Sequence, residues 1–463
     1  MRIIVDVSNN YDYHEFADIK IIFSGSNRSC MLHFDFDDFS KRLLVPKSPI
    51  SLEFLYFASV VYSIDRMVDR IKEAADGWTR EFDVEIPVVS PDKWGTVKEL
   101  LQHRISFLTG DIWRFDFIPL TIPLYEMSPH RLKIRRTLIT KKHGEFRPKA
   151  VGLLSGGLDS FIGCIDWLEQ NDPQSIFLVG HHDGSGPESQ QRELVAALKS
   201  AYEQRCASIH LRSGIKRGSV VPEIELDNQL RSRSIVFLAI GVLCANQFGP
   251  ETPLLIPENG MIALNPPLTP ARKGSLSTRT CHPFFIEGIK AVLSGLGIKT
   301  PVLNPLCGKT KGECVAQCLN QTILAQKAAT SVSCGKAGRR GTWVDTSANA
   351  CGRCVPCIYR RSALHKVGLT QEYGTDICSV DINELSDSNV KGWDDFRAIL
   401  SFLRSNSDES GLRKIISARA VGASYDQTND YITMTALAMN EIRQLLQDGA
   451  TDDIKRLAGL SND

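Results

Sequence analysis

The chain has 463 residues, a length that points to two or three domains rather than one. Its 54 Lys and Arg against 53 Asp and Glu leave a net charge of +1, so electrostatics gives no reason to expect nucleic acid or an anionic membrane as the main partner. No run approaches the roughly twenty apolar residues of a membrane span, the opening Met1-Arg2-Ile3-Ile4-Val5-Asp6 lacks the pattern of a secretory signal, and an odd count of 13 cysteines does not suit a disulfide framework, so the expectation is a reduced, cytoplasmic protein.

Residues 1–145 read as an α+β unit. The stretches 2–7 and 20–23 have strand texture, and 51–75 is helical, with Phe54, Phe57, Ala58, Val61, Ile64, Val68 and Ile71 at three-and-four spacing. Strand alternation returns at 81–89 through Phe82, Val84 and Ile86; 93–107 reads as a helix and 112–117 as a strand. The histidines here are scattered and form no catalytic constellation. A basic stretch follows (Arg131, Lys133, Arg135, Arg136, Lys141, Lys142, Arg147, Lys149), read either as a solvated connection or as a rim steering an anionic substrate.

From residue 150 short apolar runs alternate with amphipathic helices. Strands are expected at 150–154, 175–179, 208–211, 254–256 and 301–303, and helices at 160–170, 190–204, 228–246 and 284–296. This alternation builds a parallel sheet covered by helices on both faces, with ligands outside the carboxyl ends of its strands. Residues 257–282 are rich in turn formers and polar donors and read as a long loop, a lid or a binding element. The tail, 368–463, reads as helical, clearest at 394–403, 411–417 and 433–446.

The most informative run is Leu154-Ser155-Gly156-Gly157-Leu158-Asp159-Ser160, where a strand gives way to a helix. Two glycines let the backbone approach an anion, the amides of the first helical turn face it, Ser155 and Ser160 offer hydroxyls, and Asp159 can help place Mg2+ on phosphates. No Gly-Lys-Ser/Thr is present, which excludes the kinase and GTPase type of loop. The run resembles the pyrophosphate loop of the N-type ATP pyrophosphatases, which implies an adenine-nucleotide-alpha-hydrolase-like fold and attack on the α-phosphate of ATP.

Cys351-Gly352-Arg353-Cys354-Val355-Pro356-Cys357 places three thiols at two-residue gaps, the arrangement of a tetrahedral metal site. Cys334 is the nearest upstream candidate for a fourth ligand, with Cys307, Cys314, Cys318 and Cys378 as competitors. Structural zinc is the expected reading, against an iron–sulfur cluster, a redox pair or coincidence.

Loop and cysteines together resemble the 7-cyano-7-deazaguanine synthase family over roughly residues 150–364. Arg360 or Arg361 fills that family's arginine after the last cysteine, Arg233 precedes an apolar helix, and Thr310-Lys311-Gly312-Glu313 precedes another. The resemblance implies that Cys334, Cys351, Cys354 and Cys357 hold a structural Zn2+ and that residues 146–367 form the ATP-binding unit. Ser155, Asp159, Ser160 and Lys311 would carry the chemistry. ATP would be held by residues 154–160, with Arg233, Lys273 and Arg279 as further phosphate clamps; solvated surface charge is the competing reading for these cations and for Lys311. Residues 1–145 and the tail have no counterpart in that family, and its short aspartate-bearing stretch is replaced here by 257–282.

The run Glu258-Asn259-Gly260 through Ser277-Thr278-Arg279-Thr280 is similar to longer deazaguanine-synthase-like proteins of bacterial anti-phage defence operons, which occur beside partner proteins in Qat-type and cyclic-oligonucleotide systems. This implies an ATP-dependent ligase that adenylates a 7-carboxy-7-deazaguanine-type carboxylate and joins it to an amine, on a partner protein from the same operon that residues 1–145 would dock. The alternatives are an ammonia-using amide or nitrile synthase, a tRNA sulfur transferase drawing on Cys164, Cys281 or Cys314, and a nucleotide-binding subunit without turnover. Assembly into a homodimer stays open.

Overall fold

The computed structural model describes residues 1–8, 16–34, 50–125, 133, 146–182, 188–227, 231–268, 279–337, 340–386, 392–405 and 409–460. Its frame is a mostly parallel sheet of ten strands in the order β10-β9-β6-β7-β8-β3-β2-β1-β4-β5. The chain is α/β.

The first half of the sheet comes from β1 (Arg2–Ser8), β2 (Asp18–Phe23), β3 (Ser29–Phe34), β4 (Glu81–Val88) and β5 (Ile112–Pro119). In β4, Phe82, Val84 and Ile86 are buried on alternate positions, the period-two pattern of a sheet with one face on a core. Helix α1 (Ile50–Met67) is buried on nearly every side, because it lies between this sheet and a helix from the second half. The apolar spacing expected to run to residue 75 is broken at Asp69, whose carboxylate accepts the Ile71 and Lys72 amides and starts a separate turn, α2 (Arg70–Glu73). α3 (Pro91–Thr109) follows β4.

The second half alternates β6 (Ala150–Leu153), α4 (Leu158–Gln170), β7 (Ile176–His182), α5 (Glu188–Tyr202), β8 (Cys206–Ile215), α6 (Arg233–Phe248), β9 (Leu254–Leu255), α7 (Gly260–Leu264), α8 (Pro283–Gly295) and β10 (Val302–Leu303). Strands β6 to β10 pair parallel. Alternate strand residues feed two cores: Val151, Phe177 and Val179 pack with α6 and α8, while Ala150, Ile176 and Leu178 pack with α4 and α5. Helices therefore cover both faces. The run read as one loop from 257 to 282 contains the short helix α7, because Asn259 caps the Met261 and Ile262 amides. Residues 269–278, including Lys273, lie outside the described residues, as does most of the basic stretch 131–145.

The two halves form one sheet. β3, which the sequence reading did not anticipate, pairs antiparallel with the far end of β8, Leu32 opposite Ile215 and Phe34 opposite Ser213. Their helices share a core, and buried polar bonds cross the join: the Ser59 and Ser213 hydroxyls lie 2.8 Å apart, and the Ser232 amide donates to Asp65 at 3.0 Å. Asp65 and Asp111 pair with Arg80, and Asp111 also holds Arg70 in a two-pronged bond at 2.7 and 2.8 Å, so these buried charges are mutually compensated.

After β10 come α9 (Lys311–Ala316), α10 (Gln321–Lys327), α11 (Val355–Lys366), α12 (Ile382–Ser386), α13 (Asp394–Ser405), α14 (Glu409–Ser417), α15 (Tyr425–Gly449) and α16 (Asp452–Leu457). The tail helices build a core of their own around Trp393, Phe396, Ile399, Ile442 and Leu446, and that core takes in Met261 and Leu264 of α7 and Ile358 and Tyr359 of α11. Among the described residues, no helix is long and apolar enough to cross a membrane.

Candidate functional site

Strand β6 has β7 on one side and β9 on the other, so the chain's connections leave it in opposite directions. Such a switch point opens a crevice at the carboxyl ends of the strands. Ser155-Gly156-Gly157 leaves β6 there, and Pro257-Glu258-Asn259 leaves β9 beside it. Gly156 has φ +88°, a left-handed conformation that favours glycine. A Cβ on Gly163 of α4 would come within 2.3 Å of Pro257, so only glycine lets the two turns approach so closely.

Gly157 supplies no side-chain cap to α4, a thirteen-residue helix, and its first amide, that of Leu158, has only a long 3.4 Å bond to the Ser333 hydroxyl. The opening turn of α4 is a place for an anion. The Ser155 and Ser160 hydroxyls lie 3.1 Å apart at the same turn, and Ser160 donates to the Gly157 carbonyl at 3.0 Å. Gln191 of α5, fully buried, braces the loop from behind by donating to the Ser155 carbonyl at 3.2 Å.

Asp159 stands at the centre. One carboxylate oxygen accepts from the Lys311 ammonium at 2.6 Å and the other from the Asn259 amide at 2.8 Å. Asp159 and Lys311 are 6% and 3% exposed. Burial works to raise the Asp159 pKa, but the Lys311 charge and hydrogen bonds from Glu258, Lys311 and Asn259 outweigh it, leaving the carboxyl below its ordinary value. Glu258 goes the other way: burial of its carboxyl, then the charge and hydrogen bond of Asp159, push its pKa well up. Two carboxyls shifted in opposite directions, one lysine and a glycine-bearing turn at a helix start occupy one crevice.

The structure thus brings Lys311 to the loop through its bond to Asp159 and adds Asn259 and Glu258, to which sequence reasoning gave no role. Their signal was positional, a turn straight after a strand on the carboxyl edge. Arg233 opens α6 beside Ser232, and among the described residues it forms no hydrogen bond or ion pair with the loop. Arg279 is held against α3, donating to the Phe107 carbonyl at 2.6 Å with its guanidinium 4.6 Å from the Phe107 ring centre. Burial pushes the Cys164 and Cys314 thiols up, and burial beside the acidic Glu258–Asp159 pair does the same for Cys281, so none of the three is poised as a thiolate.

The Sγ atoms of Cys334, Cys351, Cys354 and Cys357 all lie within 4.8 Å of one another. The Cys351–Cys357 and Cys354–Cys334 sulfur pairs are 3.9 Å apart. A tetrahedron of thiolates at zinc distances has an edge of about 3.8 Å, whereas a disulfide would need about 2 Å. Backbone amides point at the sulfurs, from Lys336 and Cys351 to Cys334 at 3.3 and 3.4 Å and from Cys354 to Cys351 at 3.3 Å. This cluster could hold a metal such as zinc, with Cys334 as fourth ligand. It also braces the crevice: Val332, two residues before Cys334, donates to the Gly156 carbonyl at 2.8 Å. Buried Arg360, on the helix that carries Cys357, donates to Ser331 at 2.9 Å, to Ser333 at 3.4 Å and to the Ala328 carbonyl.

Comparison of the chain with protein-family models, with curated proteins and with solved structures gives no match.

Proposed function

We propose that this protein is an ATP-dependent ligase of the adenine-nucleotide-alpha-hydrolase-like fold that activates a carboxylate as an acyl adenylate and passes it to an amine. The observation that carries the reading is Asp159, held ionised between Lys311 and Asn259 on a Ser-Gly-Gly loop at the switch point of a parallel sheet. A buried ion pair is a weak source of stability, so its place at the mouth of an anion-binding turn favours a functional role.

In this reading the α4 amides, Ser155 and Ser160 grip the β,γ-pyrophosphate of ATP, and Lys311 offsets the charge that builds there. A carboxylate oxygen of the substrate bonds to the α-phosphorus as the bond to pyrophosphate breaks. The amine then attacks the acyl carbon, AMP departs with that carboxylate oxygen, and the amine loses a proton. Asp159, the carboxyl shifted toward its ionised form, would help hold the Mg2+ that arrives with ATP, which would supply charge neutralisation on the phosphates. The raised thiol pKa values of Cys281 and Cys314, both within electrostatic reach of Asp159, argue against the sulfur-transfer alternative.

The resemblance in the sequence supports a 7-carboxy-7-deazaguanine-type substrate, Zn2+ in the cysteine cluster, an amine on a partner protein and a role in anti-phage defence in the bacterial cytoplasm. The test is to incubate the protein with ATP, Mg2+ and 7-carboxy-7-deazaguanine and to separate the products. AMP and pyrophosphate should form only with the carboxylate present, and Asp159→Ala should lower their rate by about 10²-fold or more. Formation of ADP and phosphate, or an unchanged rate in Asp159→Ala, would remove the reading.

A further inference from the structure

We infer that α15, in the tail, acts on the crevice through Glu441, and that Glu441 is a positioning residue for Lys311. Lys311 is the first residue of α9, and Thr310 is its N-cap. The Thr310 hydroxyl accepts the Glu313 amide at 3.0 Å and donates onward to Glu441 Oε1 at 2.6 Å. Glu441 Oε2 accepts the Gly312 amide at 3.2 Å, and Lys366 of α11 donates to Oε1 at 3.0 Å. One carboxylate from the tail thus fastens the residues on both sides of Lys311, at the helix end where the dipole favours negative charge. Its side chain is only 9% exposed, so its bonds to Thr310 and Gly312 are partly shielded from water, while the Lys366 bond lies at the surface.

A Cβ on Gly312 would come within 2.3 Å of Glu441 Oε1, so glycine there admits the carboxylate. The same helix reaches the other partner of Asp159. Met434 lies against Gly260, the residue after Asn259; a Cβ on Gly260 would meet its sulfur at 2.1 Å. The residues beside Lys311 and beside Asn259 therefore both rest on α15. A lysine on a flexible stem contributes to a transition state only when its helix start is fixed, and small displacements are costly there. The tail supplies that fixation, and it completes the site without touching the substrate.

The activity arm of the test rests on the adenylation reading; the labelling arm does not. In the full chain, Lys311 acetylation by an amine-reactive ester is followed by peptide mass spectrometry in wild type, Glu441→Ala, Glu441→Gln and, as a control, Asp448→Ala, a change on the same helix as Glu441 that breaks a surface pair with His365 of α11. Labelling of Lys311 should rise by about tenfold in Glu441→Ala, less in Glu441→Gln, and not in the control, because only the loss of the Glu441 bonds opens the start of α9. In parallel, kcat for pyrophosphate release should fall by about tenfold with KM for ATP within about a factor of two. If Glu441→Ala does not fold, the near-isosteric Glu441→Gln decides the question. Unchanged Lys311 labelling in a folded Glu441 variant overturns the inference. A wild type that releases no pyrophosphate but shows the labelling difference refutes the adenylation reading and leaves the positioning role standing.

Discussion

Asp159, Ser155, Ser160 and the four cysteines were legible because each sits in a short run whose spacing has a chemical meaning. Asn259 and Glu258 were not, since they meet Asp159 only through the pairing of β9 with β6, and their one signal, a turn straight after a strand, does not name the partner. His282 is another residue whose role only the fold reveals. It caps α8, its Nδ1 accepting the Phe284 amide at 3.2 Å, so Nε2 carries the hydrogen that faces the Arg419 carbonyl at 3.1 Å. Burial, with Arg419 and Arg279 close by, lowers its pKa from 6.5 to about 4. The folded state thus holds His282 neutral while the unfolded chain protonates it near 6.5. The contribution is fully present above that pH and is lost as pH falls toward 4, up to about 3 kcal/mol. Denaturant titrations of wild type and His282→Asn between pH 7 and 4 should show the wild type losing more stability on acidification; equal losses would contradict the assignment.

At the scale of elements, most helices and strands of residues 150–303 were readable from periodicity, because a doubly covered parallel sheet imposes continuous apolar runs and one-sided helices. α7 was not, since five residues carry no period, and a cap at Asn259 fixes it instead. The four-cysteine cluster links elements in a way that can be measured. Its Cys334 end runs directly into residues 331–333, which hold the Ser155–Leu158 loop through Val332 and Ser333. Binding energy in such a site is folding energy. Stripping the metal with a chelator, or replacing Cys354 by Ser, should lower the melting midpoint by roughly 5–10 °C. Amide exchange should quicken at residues 331–337, 351–357 and 155–158. Intact protection at 155–158 after metal loss would uncouple cluster and loop.

Across the whole molecule, the composition change near residue 145 was visible, but the continuity of the sheet across it was not. The β3–β8 pairing joins residues about 180 apart through short strands with no distinctive pattern. α1 and α6 bury each other's apolar faces, and Asp65 meets Ser232 across the join. Deleting residues 1–145 should therefore uncover α6 and the edge of β8 and give an insoluble or unfolded product; a soluble truncation with a cooperative melt would show that the second half folds alone. The tail is likewise tied in, through Glu441 and Met434, so the crevice draws on residues from the whole second half of the chain. The central claim is that this crevice makes an acyl adenylate, and oxygen transfer tests it most directly. With 7-carboxy-7-deazaguanine labelled with 18O in its carboxylate, and an amine acceptor in unlabelled water, the account predicts one 18O atom in the AMP released. AMP without label, or nucleotide product appearing only as ADP, would contradict it.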